Sequence, residues 1–307
     1  SEGRPALRVG INGLTWALVV GVVIGLALTP DGRGWLRHPT LMLGGSAVAS
    51  ASPPENRAPS PETAAPPVAP TPAVQPLVTP LKARLAEGRL SVGVFGDSMA
   101  DGLWAALYRD LNHQPGVTVT KFSEVSTGLS RYDYVDIQAK TERQLRETPV
   151  DAAVVLFGTN DAQGISLDGV IHDFGTPGWK AAYAKRIDDL VGLLRANDVA
   201  VYWVGLPKMK RTGFDAKMAV INAVVRERMT ALNVPLIETS ALTADAAGDY
   251  AAYLPGPSGR PQLMRANDGI HMSMAGYLRI AAPVAERLKR ERQVGLSNFV
   301  KALREGR

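Results

Sequence analysis

Short apolar runs alternate with segments whose apolar side chains recur at helical spacing, from residue 89 to residue 293. Short runs of this kind predict buried strands, and the wider spacing predicts helices with one apolar face. The predicted strands are RLSVGVFG, GVTVTKFS, VDAAVVLFG, VAVYWVGL and VPLIET. The predicted helices are SMADGLWAALYRDLNHQ, VDIQAKTERQLRET, GWKAAYAKRIDDLVGLLRAND, FDAKMAVINAVVRERMTALN and SMAGYLRIAAPVAERLKRERQ.

The alternation of strands and helices also predicts how the elements are arranged. Strands that alternate with helices form a parallel sheet. These strands are apolar through their middle, as strands are when helices cover both faces of the sheet. We therefore expect an α/β fold over residues 85–292, a three-layer α/β/α sandwich with a central parallel sheet.

The residues before this domain have a different pattern. The run Ile11–Leu28 carries no charge and is at the short end of the roughly 17–25 residues that span a bilayer. We expect a single N-terminal transmembrane helix within residues 1–30, retained as an anchor, with a cleaved signal or a buried core helix as the alternatives. Proline recurs through residues 31–84 and predicts a disordered, semi-rigid linker. Residues 293–307 are expected to form a basic C-terminal tail.

Composition narrows the chemistry available to the 307-residue chain. It contains no cysteine, which excludes disulfides, thiolate metal sites and a cysteine nucleophile. It has four histidines and a net charge of +5. The basic residues are mostly scattered, so no nucleic-acid binding is expected. No ligand spacing resembles a zinc or calcium site, and we expect neither a metal nor another cofactor.

Candidate chemistry follows the strands, where α/β proteins bind their ligands. The first predicted strand leads to GDSM with Ser98, the second to STGLS with Gly128, and the third to GTND with Asn160. The loop before the last helix carries DGIH, with Asp268 and His271. In the predicted fold these pieces converge at one edge of the sheet.

These residue types are complementary. A serine hydroxyl becomes a nucleophile when a base removes its proton, and a histidine oriented by a carboxylate is such a base. Backbone N–H groups and an asparagine amide stabilise the oxyanion of acyl transfer. Taken singly, each residue has an ordinary explanation: Ser98 as a helix cap, Gly128, Asn160 and Asp268 as turn residues, and His271 as a surface or core histidine. Their occurrence together at successive strand ends favours a catalytic site.

The four blocks resemble those of the SGNH hydrolases, the GDSL-like esterase superfamily, over residues 90–288. The runs STGLSRYD, WVGLPKM and DGIHMSMAGY also look like a bacterial cell-envelope subgroup of unknown substrate. The resemblance implies a flavodoxin-like SGNH hydrolase fold. It implies Ser98 as the nucleophile, Asp268 and His271 as the rest of a catalytic triad, and an oxyanion hole formed by Ser98, Gly128 and Asn160. The first block departs from the usual pattern by having methionine after the serine.

We therefore expect a serine esterase that cleaves an O-acetyl or short acyl ester through an acyl-enzyme, on a small molecule or a cell-envelope glycan. An O-acyltransferase that uses the same triad on a polysaccharide or peptidoglycan acceptor is the first alternative. A non-catalytic binding module on the same fold is the second. The expected location is the periplasmic or extracellular side of a bacterial membrane, held there by the N-terminal helix.

Overall fold

The structure is a computed structural model, and it describes residues 80–304 of the chain. The transmembrane helix expected within residues 1–30 lies outside the described residues, as does the linker up to residue 79. The linker was expected to reach residue 84, but Pro80–Ala86 form a short helix, α1. This segment begins with the last proline of the run, a residue that is favoured in the first turn of a helix, and otherwise consists of good helix formers. Within 80–304, no helix has both the length and the apolar character needed to cross a bilayer.

The described residues form the predicted alternation of strands and helices, with two added hairpins. The strands are β1 Leu90–Gly96, β2 Val117–Lys121, β3 Ala152–Leu156, β4 Ile165–Leu167, β5 Val170–His172, β6 Ala200–Val204, β7 Leu236–Ile237, β8 Tyr253–Pro255 and β9 Pro261–Leu263. After α1, the helices are α2 Ser98–Leu111, α3 Ile137–Glu147, α4 Pro177–Ala196, α5 Thr212–Ala231 and α6 Met274–Arg304, with a 3₁₀ turn at Ala241–Thr243.

Five strands form one parallel sheet in the order β2-β1-β3-β6-β7. Numbered within the sheet, this is the 2-1-3-4-5 order of flavodoxin-like folds. Every residue of β3, the central strand, is buried, which explains why its sequence is apolar without alternation. The predicted parallel sheet flanked by helices is confirmed.

The register of the sheet places the functional loops side by side. Gly96 at the end of β1 lies opposite Leu156 at the end of β3, and Val94 lies opposite Lys121 at the end of β2. The three strands therefore end at the same edge of the sheet. The loops that carry Ser98, Gly128 and Asn160 leave from that edge.

Two groups of helices cover the sheet. Helices α2 and α6 pack against each other, while α4 contacts both α3 and α5. With right-handed crossovers, this order puts the first pair on one face and the other three helices on the opposite face. The α2–α6 contact is close at Gly102, because a Cβ atom there would overlap the ring of Tyr277.

Beyond residue 86 the structure differs from the prediction in four places. The antiparallel hairpins β4–β5 and β8–β9 were not predicted, and their strands of three residues are too short to show a period. Strand β7 is also shorter than predicted. Helix α6 continues through the expected tail as far as Arg304, because α1 packs on this extension, with Leu85 against Gly295.

The α2–α6 contact yields a prediction about stability. Replacing Gly102 with alanine should lower the free energy of unfolding by about 1–3 kcal/mol, since the added methyl group must displace the Tyr277 ring. Gly192 in α4 is the matched control, because a Cβ atom there would meet open space. Gly192→Ala should raise the free energy of unfolding by about 0.5–1 kcal/mol, since alanine favours helix more than glycine does. Urea denaturation measures both, and equal stability of the two variants would contradict the close α2–α6 packing.

Candidate active site

Ser98 is the first residue of α2 and is separated from the end of β1 by one residue, Asp97. The helix is capped by its neighbour Asp97, whose Oδ1 accepts the Met99 N–H at 2.9 Å. Capping therefore does not occupy the Ser98 hydroxyl. The preceding Gly96 has a φ of +148°, and a Cβ atom there would overlap the carbonyl oxygen of Leu156. The sharp turn that presents Ser98 thus requires glycine.

The structure brings Ser98, His271 and Asp268 together in one chain of contacts. His271 Nε2 lies 2.8 Å from Ser98 Oγ, and His271 Nδ1 lies 2.6 Å from Asp268 Oδ2. The other carboxylate oxygen, Oδ1, accepts the backbone N–H groups of Ile270 at 2.8 Å and His271 at 3.0 Å. The carboxylate is thereby held in a turn and oriented toward the imidazole.

The charge of Asp268 suits that orientation. Partial burial acts to raise its pKa, but the hydrogen bonds from the His271 ring and from the backbone of Ile270 and His271 lower it, and the net shift is downward. The carboxylate is therefore ionised at neutral pH. The side chains of His271 and Asp268 are 38 % and 47 % exposed, so this end of the site is open to water.

The loop that carries His271 is held by a buried arginine. Arg265, 1 % exposed, donates to the carbonyl oxygens of Gly269 at 3.3 Å, Ile270 at 2.9 Å and Lys208 at 2.5 Å. Within residues 80–304 no carboxylate forms an ion pair with it, and its Nε has no hydrogen-bond partner. Burial lowers the pKa of this guanidinium. Arg265 thus fastens the His271 loop to the loop after β6.

The oxyanion candidates other than Ser98 lie in the loops after the two strands that flank β1: Gly128 follows β2 and Asn160 follows β3. Asn160 Nδ2 donates to Thr127 O at 2.9 Å, which uses one of the two hydrogens of the amide and leaves the other. Thr127 O and the Gly128 nitrogen belong to the same peptide group, so Asn160 is tied directly to Gly128. The Gly128 N–H donates no hydrogen bond within the described residues. The Ser98 N–H begins a helix and has no intrahelical acceptor.

Asp97 connects the start of α2, which carries Ser98, to the loop after β3, which carries Asn160. Its Oδ2 accepts three hydrogen bonds from the loop after β3: the Gly158 N–H at 3.2 Å, the Thr159 N–H at 3.1 Å and the Thr159 hydroxyl at 2.7 Å. The carboxylate is wholly buried. Burial raises its pKa from the usual 3.8 to about 6, against the lowering effect of the bonds from Thr159 and Met99. One side chain thus fixes the position of Ser98 relative to Asn160.

The five predicted site residues do not include three buried charged groups that contact their loops: Asp97, Asp161 and Arg265. A signal for the two aspartates was present in the sequence. Each stands beside a candidate residue at the end of an apolar strand, where a charge is too costly to bury without hydrogen-bond donors. Within residues 80–304 no group of three or more histidine, aspartate or glutamate side chains is placed to hold a metal ion.

These features define a serine-centred site at the carboxyl edge of a flavodoxin-like sheet. A family model described as "Protein of unknown function (DUF459)" matches residues 91–287, well over half of the 307 residues. The chain belongs to this family. No curated protein is similar enough in sequence to be recognised as a relative.

Several solved structures are similar to the chain at low sequence identity. An acetyl xylan esterase is 15 % identical, with a TM-score of 0.48, over 64 % of this chain and 99 % of that one. A GDSL-like lipase from Bacteroides thetaiotaomicron is 15 % identical, with a TM-score of 0.45, over 67 % and 90 %. A psychrotrophic esterase from Pseudoalteromonas sp. is 12 % identical, with a TM-score of 0.43, over 65 % and 97 %.

The raised pKa of Asp97 predicts a pH dependence of stability. The folded protein binds this proton more tightly than the unfolded chain does, so the contribution of Asp97 to stability is present at low pH and is lost as the pH rises from about 4 to about 6. The wild type should therefore lose up to about 3 kcal/mol of unfolding free energy relative to Asp97→Asn across this range. Urea unfolding of both proteins at a series of pH values measures the difference. A wild type that gains stability relative to Asp97→Asn as the pH rises would contradict the assignment.

Proposed function

We propose that the protein is a serine esterase that cleaves its substrate through an acyl-enzyme. The observation that carries the proposal is the contact of His271 Nε2 with Ser98 Oγ at 2.8 Å, with Nδ1 of the same ring 2.6 Å from Asp268. The first of these contacts joins residues 173 positions apart in the chain. A nucleophile, its base and the group that orients the base are thus in hydrogen-bond reach without any rearrangement.

The reaction then proceeds in two halves. Ser98 Oγ attacks the ester carbonyl while His271 Nε2 takes the hydroxyl proton, and the same nitrogen returns the proton to the leaving alcohol. Water next gives a proton to His271 Nε2 and attacks the acyl-enzyme; the same nitrogen then returns the proton to Ser98 Oγ as the acid leaves, which restores the hydroxyl. Asp268 keeps Nδ1 protonated and stabilises the imidazolium that forms in each half.

The oxyanion formed in each half requires donors that are in place beforehand. The Ser98 and Gly128 N–H groups and the second hydrogen of the Asn160 amide are the candidates, and the positive end of the α2 dipole adds to them. A binding module without chemistry would not need a serine in contact with an oriented histidine, which favours catalysis over that alternative.

We propose an acetyl or other short acyl ester on a cell-envelope glycan as the substrate. The exposure of His271 and Asp268 supports it, because a bulky carbohydrate can approach an open site. The expected anchor and proline-rich linker would hold the domain outside the membrane, on the periplasmic or extracellular side, within reach of such a polymer. Both segments precede the described residues.

Replacing Ser98 with alanine tests the nucleophile. The variant should lose at least about 10⁴-fold in kcat on a short-chain acyl ester, because no other group can form the acyl-enzyme. Ser91→Ala, at the other end of β1, is the matched control and should retain wild-type kcat. Hydrolysis of a panel of acyl lengths and acetylated polysaccharides measures both, and an active Ser98→Ala variant would refute the assignment.

Replacing Asp268 with asparagine tests the orienting group. We expect kcat to fall by about 10²–10³-fold, less than for Ser98→Ala, because a half-exposed carboxylate acts through a higher dielectric than a buried one. KM should change little, since the carboxylate contacts His271 and not the substrate. Steady-state kinetics measures both constants. A loss as small as twofold would show that the histidine is oriented by other groups.

Product analysis separates hydrolysis from acyl transfer. With a fixed ester donor, the wild type should release free acid at the same rate with and without a carbohydrate acceptor. Accumulation of acylated acceptor at the expense of free acid would assign the same triad to an acyltransferase.

A further inference from the structure

Asp161 is a second wholly buried aspartate, and the triad does not include it. Its carboxylate accepts the Ser130 N–H at 2.8 Å, the Ser130 hydroxyl at 2.8 Å and the Tyr183 hydroxyl at 2.9 Å, and it also receives a bond from the Leu129 backbone. No lysine, arginine or histidine of residues 80–304 forms an ion pair with it. A buried carboxylate without a cation is costly. Several donors from one loop therefore converge on it.

The loop that supplies these donors begins at Gly128. A Cβ atom on Gly128 would overlap Oδ1 of Asp161, so this glycine lies directly against the carboxylate. On the other side, Asn160 binds the carbonyl oxygen of Thr127 at 2.9 Å. Neighbouring residues of the β3 loop thus hold the backbone before and after the Gly128 nitrogen.

The Asp161 carboxylate is also held in place by aromatic side chains of α4. Tyr183, which binds Oδ2, stacks on Trp179 with ring centroids 4.7 Å apart and an angle of 10° between the rings. Trp179 Nε1 in turn donates to Gln163 O at 2.7 Å. Both aromatic residues are on α4 and are wholly buried. The Asp161 carboxylate therefore cannot turn away from the Gly128 loop without disturbing the core.

Direct participation of Asp161 in the reaction does not fit its surroundings. It is shielded from solvent, and a negative charge beside a developing oxyanion would oppose the reaction. Its hydrogen bonds go to the backbone and side chain of the loop and not toward Ser98. Its effect on the reaction must pass through the loop.

We infer that Asp161 is a positioning residue, which fixes residues 127–130 so that the Gly128 N–H is presented to the oxyanion. The inference rests on the proposed function and adds a residue to it. Before Gly128 the loop is also held by Asn160 on Thr127 O, by the Thr127 hydroxyl on Glu124 O at 2.7 Å and by the Arg131 guanidinium on Ser126 O at 2.8 Å. After Gly128 the bonds to Asp161 are accompanied only by a long contact of Gln163 Nε2 with Ser130 Oγ, at 3.5 Å, among the side-chain bonds of the described residues.

The test uses Asp161→Asn and Asp161→Ala in the full chain. Loss of an oxyanion donor costs about 10²–10³-fold in kcat. A donor that is displaced should cost less, so we expect about 10-fold for Asp161→Asn, whose amide oxygen still accepts from Ser130, and about 100-fold for Asp161→Ala. KM should stay within about twofold of the wild-type value.

A comparison of matched oxo and thiono esters reports on the oxyanion itself. Sulfur is a weaker hydrogen-bond acceptor than oxygen, so a working oxyanion hole favours the oxo ester. The ratio of the oxo rate to the thiono rate should fall in both Asp161 variants, an effect that a loss of stability alone would not produce.

Asp151→Asn is the matched control, because Asp151 is also buried and accepts a backbone N–H, that of Ser91 at 2.7 Å, at the opposite end of the sheet. It should change neither kcat nor the ratio.

Amide hydrogen exchange provides a measurement that needs no turnover. The amides of Leu129 and Ser130 should exchange faster in Asp161→Asn than in the wild type or in Asp151→Asn. If Asp161→Asn keeps the wild-type kcat and the wild-type ratio of oxo to thiono rates while Ser98→Ala is inactive, the inference is overturned and the proposed function stands. If the wild type cleaves no ester, the proposed function fails, and unchanged exchange in Asp161→Asn would then overturn the positioning role as well.

Discussion

The burial of the Asp97 carboxylate is the constraint on which the rest of the site depends. A carboxylate without access to water must be surrounded by donors, and here they come from both sides of the β1–β3 pair: Met99 at the start of α2, and Gly158 and Thr159 after β3. Satisfying one side chain therefore brings the strand ends into a single arrangement. Ser98 and Asn160, each adjacent in sequence to one of these partners, take their relative position from it.

The groups that hold the site and the groups that would react differ in their exposure to water. Asp97, Asp161 and Arg265 are buried, whereas the side chains of His271 and Asp268 are more than one third exposed. Buried hydrogen bonds are stronger and less mobile than exposed ones. In this arrangement the buried hydrogen bonds keep the loops of the site in place. The exposed side chains leave the reacting atoms accessible to water and to a large substrate.

The sheet and the candidate residues could be predicted because they depend on local patterns. Strands buried on both faces, such as β3, are apolar without interruption, and the residues after them are at a known edge of the sheet. The roles of Asp97 and Asp161 could not be predicted in the same way, because their donors come from residues far away in the chain. The hairpin β4–β5 was missed because Val170 and Ile171 are exposed, so burial imposes no pattern on them. The extent of α6 depends on packing against α1, whose residues lie far away in the chain.

The contacts of Arg265 determine how the His271 loop can move. Its charge is balanced by the carbonyl oxygens of Lys208, Gly269 and Ile270 and not by a carboxylate. The attraction between an ion and a dipole decreases with distance more steeply than the attraction between two ions. A small outward shift of the loop would therefore weaken these contacts more than it would weaken an ion pair. The position of the imidazole beside Ser98 thus depends on the loop carbonyls staying close to the buried guanidinium.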